Sequence, residues 1–376
     1  MIPKIDRRLI SHLDYVTFFI VLILAIIGVL TIYSATRPPV DIFQQQDFYI
    51  KQIVWLLISI IFMLMVLTFD YIWLQRFAYV FYIMGLIALI LVFILGKTSM
   101  GAQRWISIGP LSFQPSEFFR LAFIIAYSAY LSNIREPVKD KIYIKSALVF
   151  AFIPIVLLIK QPDLGTSILL FCIFVILSIV KGINRRFIIT ATIIGLISVP
   201  FLGDILWDKL KDYQKSRLTA FINPEEDTAG AGYHIYQSKI SIGSGGLTGK
   251  GYLKGTQGPL RFLPEKHTDF IFSVYAEETG FLGSIFLISL YLILFLRGID
   301  TALKAKDEFG RLVATGITAM FFIYFTVNVG MTIGIMPVVG VPLPFMSYGG
   351  TALLSNFIAA GILISIRTRR YELFYP

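Results

Sequence analysis

Long uncharged runs, broken by short polar stretches, fill most of the 376-residue chain. A helix that crosses a bilayer needs about 20 mostly apolar residues. Runs of that kind predict ten spans, at 14–34, 52–69, 77–96, 116–132, 146–160, 164–180, 187–203, 269–296, 312–335 and 348–366. The eighth is long enough to hold a membrane-entry segment followed by a span. Spans five and six are short and are joined only by Lys160-Gln161-Pro162-Asp163, which predicts a sharp re-entry. One long interruption, 203–268, separates spans seven and eight. The expected fold is all-α and integral to the membrane, a single polytopic domain over 1–376 with one large loop.

Composition agrees: 56% hydrophobic and 15% charged residues are too apolar and too charge-poor for a soluble domain. The basic residues set the orientation, because Lys and Arg collect in cytoplasmic segments. With the N-terminus inside, 18 of the 33 Lys and Arg fall in cytoplasmic segments, five in short outer loops and nine in the long loop, while Arg120 lies inside a span. Loops that long largely escape the rule. Both termini are therefore expected in the cytoplasm and the long loop outside. The net charge of +10 is then a topology signal, and no basic-aromatic patch points to nucleic acid. The start "MIPKIDRRLISHLDYVTFF" has the form of a signal peptide, but nine further spans favour an uncleaved anchor. A lone cysteine, Cys172, excludes an internal disulfide, and His12, His234 and His267 are too scattered for a zinc cluster.

Ionisable groups inside a bilayer cost about 2.5–3.5 kcal/mol each on insertion scales, so each needs a reason. Four groups stand out: Glu117 with Arg120, Asp163, Asp269, and the pair Glu277/Glu278. All are expected in the outer half of the membrane, with no comparable set in the inner half. Glu117 and Arg120 are three apart and share a helix face; they either lock two helices or line a polar cavity. Asp163 can cap span six or serve a site. Thr268 or Asp269 can cap span eight, and Thr268 alone would suffice. Glu277 and Glu278 diverge by about 100° on a helix, so one is expected to be packed and satisfied.

In the long loop, "GYHIYQSKISIGSGG" reads as an amphipathic helix closed by Gly243, Gly245 and Gly246. Its Ile and aromatic positions suit the membrane surface, with Gln237, Ser238 and Lys239 facing a cleft. "GSGGLTGKG" fails the phosphate-loop spacing, because Gly243 to Gly249 has five residues between and Gly251 follows Lys250. A backbone that approaches substrate and a plain flexible turn both remain open there.

"GAQRW" (101–105), "FQPSE" (113–117), "QPDLGTS" (161–167), "GAGYHIYQSKISIGSGGLTGKG" (230–251), "FLPEKHTDFIFSVYAEETG" (262–280) and "VVGVPLPFMSYGG" (338–350) together resemble the SEDS family (shape, elongation, division and sporulation). The likeness covers nearly the whole chain, and "LKGTQGPLRFLPE" and "GAQRW" lie nearer its rod-elongation branch than its division branch. It implies a peptidoglycan glycosyltransferase that polymerises lipid II, the undecaprenyl-linked disaccharide-peptide, on the outer face of the cytoplasmic membrane. The family's essential aspartate matches Asp269. Substrate-binding positions are implied at Glu117, Arg120, Arg104, Asp163, Lys239, Ser244, His267 and Thr268. Position 120 departs from the pattern, being Arg where Lys is usual, so a role there that needs a point charge or a proton is in doubt.

In that chemistry a carboxylate takes the proton of the attacking hydroxyl, and cations neutralise the leaving pyrophosphate: Arg, Lys or a divalent metal such as magnesium or manganese. No nucleotide cofactor is implied. By analogy with inverting transferases, an α-linked precursor would give a β-linked glycan. A class B penicillin-binding protein, a transpeptidase, is the implied partner, with contact expected through spans eight and nine. Two rivals are a lipid flippase, which needs a polar path through both halves of the membrane, and a non-catalytic scaffold, which would tolerate loss of Asp269.

Overall fold

The computed structural model describes residues 13–37, 47–99, 102–108, 111–134, 145–182, 190, 215, 219, 230–256 and 265–370. The span expected at 187–203 and much of the 203–268 loop lie outside the described residues. Each of the other nine predicted runs is helical. In chain order they are α1 (Tyr15–Thr36), α2 (Phe48–Thr68), α3 (Ile72–Leu95), α4 (Pro115–Ser132), a π-helical stretch Ala147–Phe152 that runs into α5 (Ile153–Lys160), and α6 (Leu164–Val180). After α7 (Ala231–Ser244), on the long loop, come α8 (Ile271–Leu303), α9 (Glu308–Thr332) and α10 (Gly350–Thr368). Between α3 and α4 the strands β1 (Lys97–Ser99), β2 (Ala102–Ile108) and β3 (Leu111–Phe113) form an antiparallel sheet in the order β1-β2-β3.

Six helices, α1, α2, α3, α8, α9 and α10, are long and apolar enough to cross a bilayer. The chain is a multi-pass membrane protein. Large apolar side chains stand outward on the rim, as at Leu57, Ile61, Ile83 and Ile94, where hydrocarbon rather than water is the natural solvent. In the interior, α4 is buried along nearly its whole length, with α3, α9 and α10 packed on it.

Polar contacts join the helices at two ends. At one end Asp14, at the start of α1, meets Arg297 of α8 and Arg367 of α10, and Arg367 also binds Asp300 at 2.6 Å. Lys181, after α6, pairs there with Glu308 of α9 at 3.4 Å. This network sits at helix ends, where apolar runs give way to charge, and not within the spans to which the expectation about the inner half applies. The other end gathers the starts of α2, α4, α6, α8 and α10 and carries the candidate site residues.

α8 is one helix only in outline. Gly280 takes φ 67°, ψ −161°, and the freed donors turn to the loop after α7. Phe281 N–H donates to Gly246 O at 2.9 Å and Leu282 N–H to Leu247 O at 3.1 Å, while Lys250 and Gly251 N–H donate to the carbonyls of Glu277 and Glu278 at 3.0 Å each. The expected entry segment plus span is therefore 271–279 followed by 281–303, and the latter is about 34 Å long at 1.5 Å per residue.

The glycine-rich loop is thus a docked segment of backbone, neither a phosphate cradle nor a flexible turn. Gly249 has φ 80°, and a Cβ there would collide with the Glu278 carbonyl oxygen. Gly249→Ala is expected to cost at least about 1–2 kcal/mol, from the left-handed conformation and the clash. Thermal unfolding in detergent measures this; an unchanged transition would show that the loop is not held here.

Candidate active site

Two clusters form at the site-bearing end. The first is built on α4, where Pro115 pre-sets the opening turn and points Glu117 and Arg120 along one face. The carboxylate and guanidinium meet at 2.5 Å, both buried. Arg120 also donates to the Tyr324 hydroxyl on α9, to Ser355 Oγ at 2.8 Å and to Asn356 Oδ1 at 2.9 Å on α10, and it lies 4.5 Å from the Tyr324 ring centre. The pair therefore locks helices: the two terminal guanidinium nitrogens reach acceptors on α9 and α10, while the buried Nε meets no partner among the described residues.

Asp163 joins this cluster. It caps α6, accepting from Thr166 N–H at 3.3 Å and Thr166 Oγ1 at 3.0 Å, which accounts for its place after Pro162. It also faces Ser116 Oγ at 3.4 Å and the Arg104 guanidinium at 3.7 Å. Arg104 reaches across from β2 and donates to the carbonyls of Gln161 and Pro162 as well, so it fixes the re-entry between α5 and α6.

The second cluster is the turn 265–270. Neither Thr268 nor Asp269 caps α8, contrary to expectation; the N-cap is Phe270 and it has no side-chain bond. Thr268 Oγ1 instead donates to the Glu265 carboxylate at 2.9 Å. The turn closes on the Glu265 carbonyl, which accepts from Thr268 and Phe270 N–H. His267 stacks on Phe48 of α2, with ring centres 4.6 Å apart, and lies 5.5 Å from the Tyr348 ring. The carbonyl of Asp269 accepts from Asn328 Nδ2 of α9 at 3.0 Å.

The loop 337–349 joins the clusters. Asn328 also holds Val341 O at 2.8 Å, and Val339 and Val341 pack against Gly165 in the first turn of α6, leaving no room for a Cβ. On its far side Gln52 of α2, itself buried, donates to Ser347 O at 3.2 Å.

Glu277 and Glu278 are both packed, where only one was expected to be. Glu277 accepts from Lys250 Nζ at 2.6 Å and from Thr256 N–H and Oγ1 at 2.8 Å each. Glu278 accepts from Ser34 of α1 and from Leu253 N–H at 3.1 Å. They tie the glycine-rich loop down.

On α7, Ser238 does not face a cleft: it is buried and donates to Thr332 O at 2.6 Å. Lys239 is exposed, its stem against Gly334. Ser244 is exposed and donates to Ser241 O at 2.9 Å, within its own helix. These two stand apart from the clusters.

Tyr324, Asn328, Ser347, Ser355, Asn356 and Gln52 were not singled out by the sequence. They are neutral, and scanning for charges passes over them. The signal available was an amide inside an apolar run, as in "FTVNVGMT" and "LLSNFIAA".

A polytopic helical membrane protein with carboxylates and guanidinium groups converging at one end defines the class. Residues 14–372 match the FtsW/RodA/SpoVE family of cell cycle proteins, and the chain belongs to that family. It is 41% identical to the peptidoglycan glycosyltransferase MrdB of Escherichia coli K12, over 96% of this chain and 94% of that one. Among solved structures it resembles a chain described under the structural coordination of polymerization and crosslinking by a peptidoglycan synthase complex, with TM-score 0.80, 28% identity and coverage of 96% and 99%. It also resembles the rod-shape-determining protein RodA of Thermus thermophilus, with TM-score 0.70, 27% identity and coverage of 96% and 98%.

Two outcomes follow from this geometry. Arg120→Ala leaves Glu117 buried without its partner and should cost about 3–5 kcal/mol. Arg120→Lys should recover only part of that, because one ammonium cannot meet the same acceptors. Unfolding temperatures of the purified variants decide it, and a silent Lys variant would refute guanidinium-specific packing. The second concerns His267, which burial holds below the ordinary histidine value of 6.5; Glu265 opposes that shift and Lys266 adds to it. A lowered folded pKa gives stability that is complete above the unfolded value and lost as pH falls through the folded one. Wild type should therefore lose unfolding temperature relative to His267→Phe below about pH 6, and a constant difference from pH 8 to pH 5 would contradict it.

Proposed function

We propose that the chain is a peptidoglycan glycosyltransferase with Asp269 as its general base. What supports this most is a carboxylate-bearing turn fixed at the same end as Glu117, Arg120 and Asp163, in a member of a family whose relative MrdB carries that name. The substrate is a lipid-pyrophosphate-linked disaccharide-peptide, lipid II, and the product an undecaprenyl-linked glycan. The acceptor hydroxyl attacks the anomeric carbon as its proton passes to the Asp269 carboxylate. The carbon–oxygen bond to pyrophosphate breaks, and the electron pair leaves with the phosphate. Ten spans, cytoplasmic termini and a site on the outer face of the cytoplasmic membrane complete this reading, following the basic-residue bias of the loops.

No three His, Cys, Asp or Glu side chains come together to hold a metal among the described residues. Magnesium needs only one or two carboxylates beside substrate phosphates, so this bears on a cage of protein donors and not on an ion carried in with the pyrophosphate.

The flippase reading needs polar groups through the full depth. Between the two ends, described hydroxyls such as Thr318 and Ser289 are bonded to carbonyls of their own helices, at 2.7 and 2.8 Å. For a partner, a class B penicillin-binding protein fits the likeness to a chain of a synthase complex. α8 exposes Phe281, Leu282, Ile285 and Phe286 along one face, suited to a single partner helix.

The deciding substitution is Asp269→Asn. It keeps the size of the side chain but cannot take the proton. A general base contributes about 10²–10⁴ in rate, roughly 3–5 kcal/mol of barrier. The variant should insert and fold normally yet make almost no glycan from labelled lipid II. Near-normal glycan from folded protein would sink the assignment and revive the flippase and scaffold readings.

A further inference from the structure

The three carbonyls of the segment that carries Asp269 are each held from another element. Tyr348 N–H donates to His267 O at 2.8 Å. Ser347 Oγ donates to Thr268 O at 2.7 Å. Asn328 Nδ2 donates to Asp269 O at 3.0 Å. The donors are themselves fixed. Ser347 Oγ accepts from Leu343 N–H at 2.8 Å, which aims its only proton at Thr268. Asn328 is fully buried on α9 and spends its second N–H on Val341 O at 2.8 Å. Both amide hydrogens therefore sit on carbonyls, and a flipped amide would set oxygen against oxygen. Its Oδ1 is buried and meets no donor among the described residues, so the side chain is held wholly through its Nδ2.

Two residues in the assembly have left-handed backbone without being glycine: Glu265, with φ 50°, opens the turn, and buried Phe345, with φ 68°, lies in the loop that supplies Ser347. Such conformations persist only where the surroundings over-determine them. A turn clamped at three successive carbonyls has few ways left to rotate its side chains relative to the bundle.

We propose that Asn328 and Ser347 are positioning residues for the Asp269 carboxylate. They touch neither the reacting atoms nor the leaving group. They act by fixing the backbone of the turn, so that the carboxylate meets the acceptor hydroxyl at hydrogen-bond distance. The inference rests on the general-base reading of Asp269. Loss of one clamp allows displacement of the order of an ångström, which costs up to about 100-fold in rate when a reacting group is misplaced.

The test uses the full-length purified protein in lipid nanodiscs with labelled lipid II. The variants are Ser347→Ala, Ser347→Thr, Asn328→Ala and Asp269→Asn, and Ser347→Ala combined with Asp269→Asn. Ser347→Ala and Asn328→Ala are expected to lower kcat by about 10- to 100-fold while KM for lipid II stays within about twofold. Ser347→Thr keeps the hydroxyl and recovers most of the loss. In the Asp269→Asn background, Ser347→Ala adds nothing to the residual rate, because the carboxylate it positions is gone. Wild-type kcat in Ser347→Ala overturns the inference. So does a loss tracked by the folded fraction that Ser347→Thr shares, and so does a Ser347→Ala effect that multiplies undiminished onto Asp269→Asn. An active Asp269→Asn protein removes the general-base reading and the positioning role with it. An inactive Asp269→Asn beside a normal Ser347→Ala removes the positioning role alone.

Discussion

A backbone that leaves helical geometry inside an apolar bundle has no water to turn to, so each freed carbonyl or N–H has to find a partner in the protein. That constraint organises the site-bearing end. Where α5 turns back into α6, Arg104 covers the carbonyls of Gln161 and Pro162, and the Gln161 side chain donates to Leu89 O at 2.6 Å. Where α8 breaks at Gly280, the glycine-rich loop exchanges four backbone bonds with it. Where the chain enters α8 and α10, the 265–270 turn and the 337–349 loop satisfy one another. The irregular segments at this end are thus held for the same reason that they are permitted.

The two ends of the bundle hold charge differently. At the end with Asp14, carboxylates and guanidinium groups alternate at helix termini, as in Arg297–Asp14–Arg367–Asp300. At the other end, one guanidinium lies a turn or more inside α4 with a single carboxylate partner and three neutral acceptors. Arginine does not give up its proton in proteins. A role at position 120 that required proton exchange is therefore closed to this chain, and what the residue offers is a fixed positive charge. The acceptors on α9 and α10 hold that charge at the two terminal nitrogens of the guanidinium.

Much of this was legible in the sequence. The nine predicted runs that fall among the described residues are helical, because long apolar stretches leave few alternatives in a bilayer. The charged members of the candidate site were equally visible, since Glu117 and Arg120 interrupt such a run and Asp163 and Asp269 stand at the edge of one. The partners that give those residues their geometry were not. Asn328 and Ser347 are neutral, distant in sequence from Asp269, and recognisable only when the fold brings α9 and the loop before α10 to the start of α8. The glutamate pair misled for a related reason. Its partners, Lys250, Thr256 and Ser34, come from a loop and a helix whose docking no periodicity encodes. Capping was misjudged at α8 because Thr268 spends its hydroxyl on Glu265 instead.

The discontinuity at Gly280 has a mechanical consequence. Because Phe281 and Leu282 bond to the loop rather than to the preceding turn, the 281–303 rod and the short 271–279 segment share no continuous ladder across the glycine. Torque applied to the rod, by a change in bilayer thickness or by a neighbouring helix pressing on Phe281 and Phe286, is taken up at this joint. It passes first into the docked loop and its glutamate anchors. The turn bearing Asp269 is tethered to α9 and to the loop before α10, and the 281–303 rod meets the short segment through the Tyr275 hydroxyl, which donates to Gly283 O at 3.1 Å.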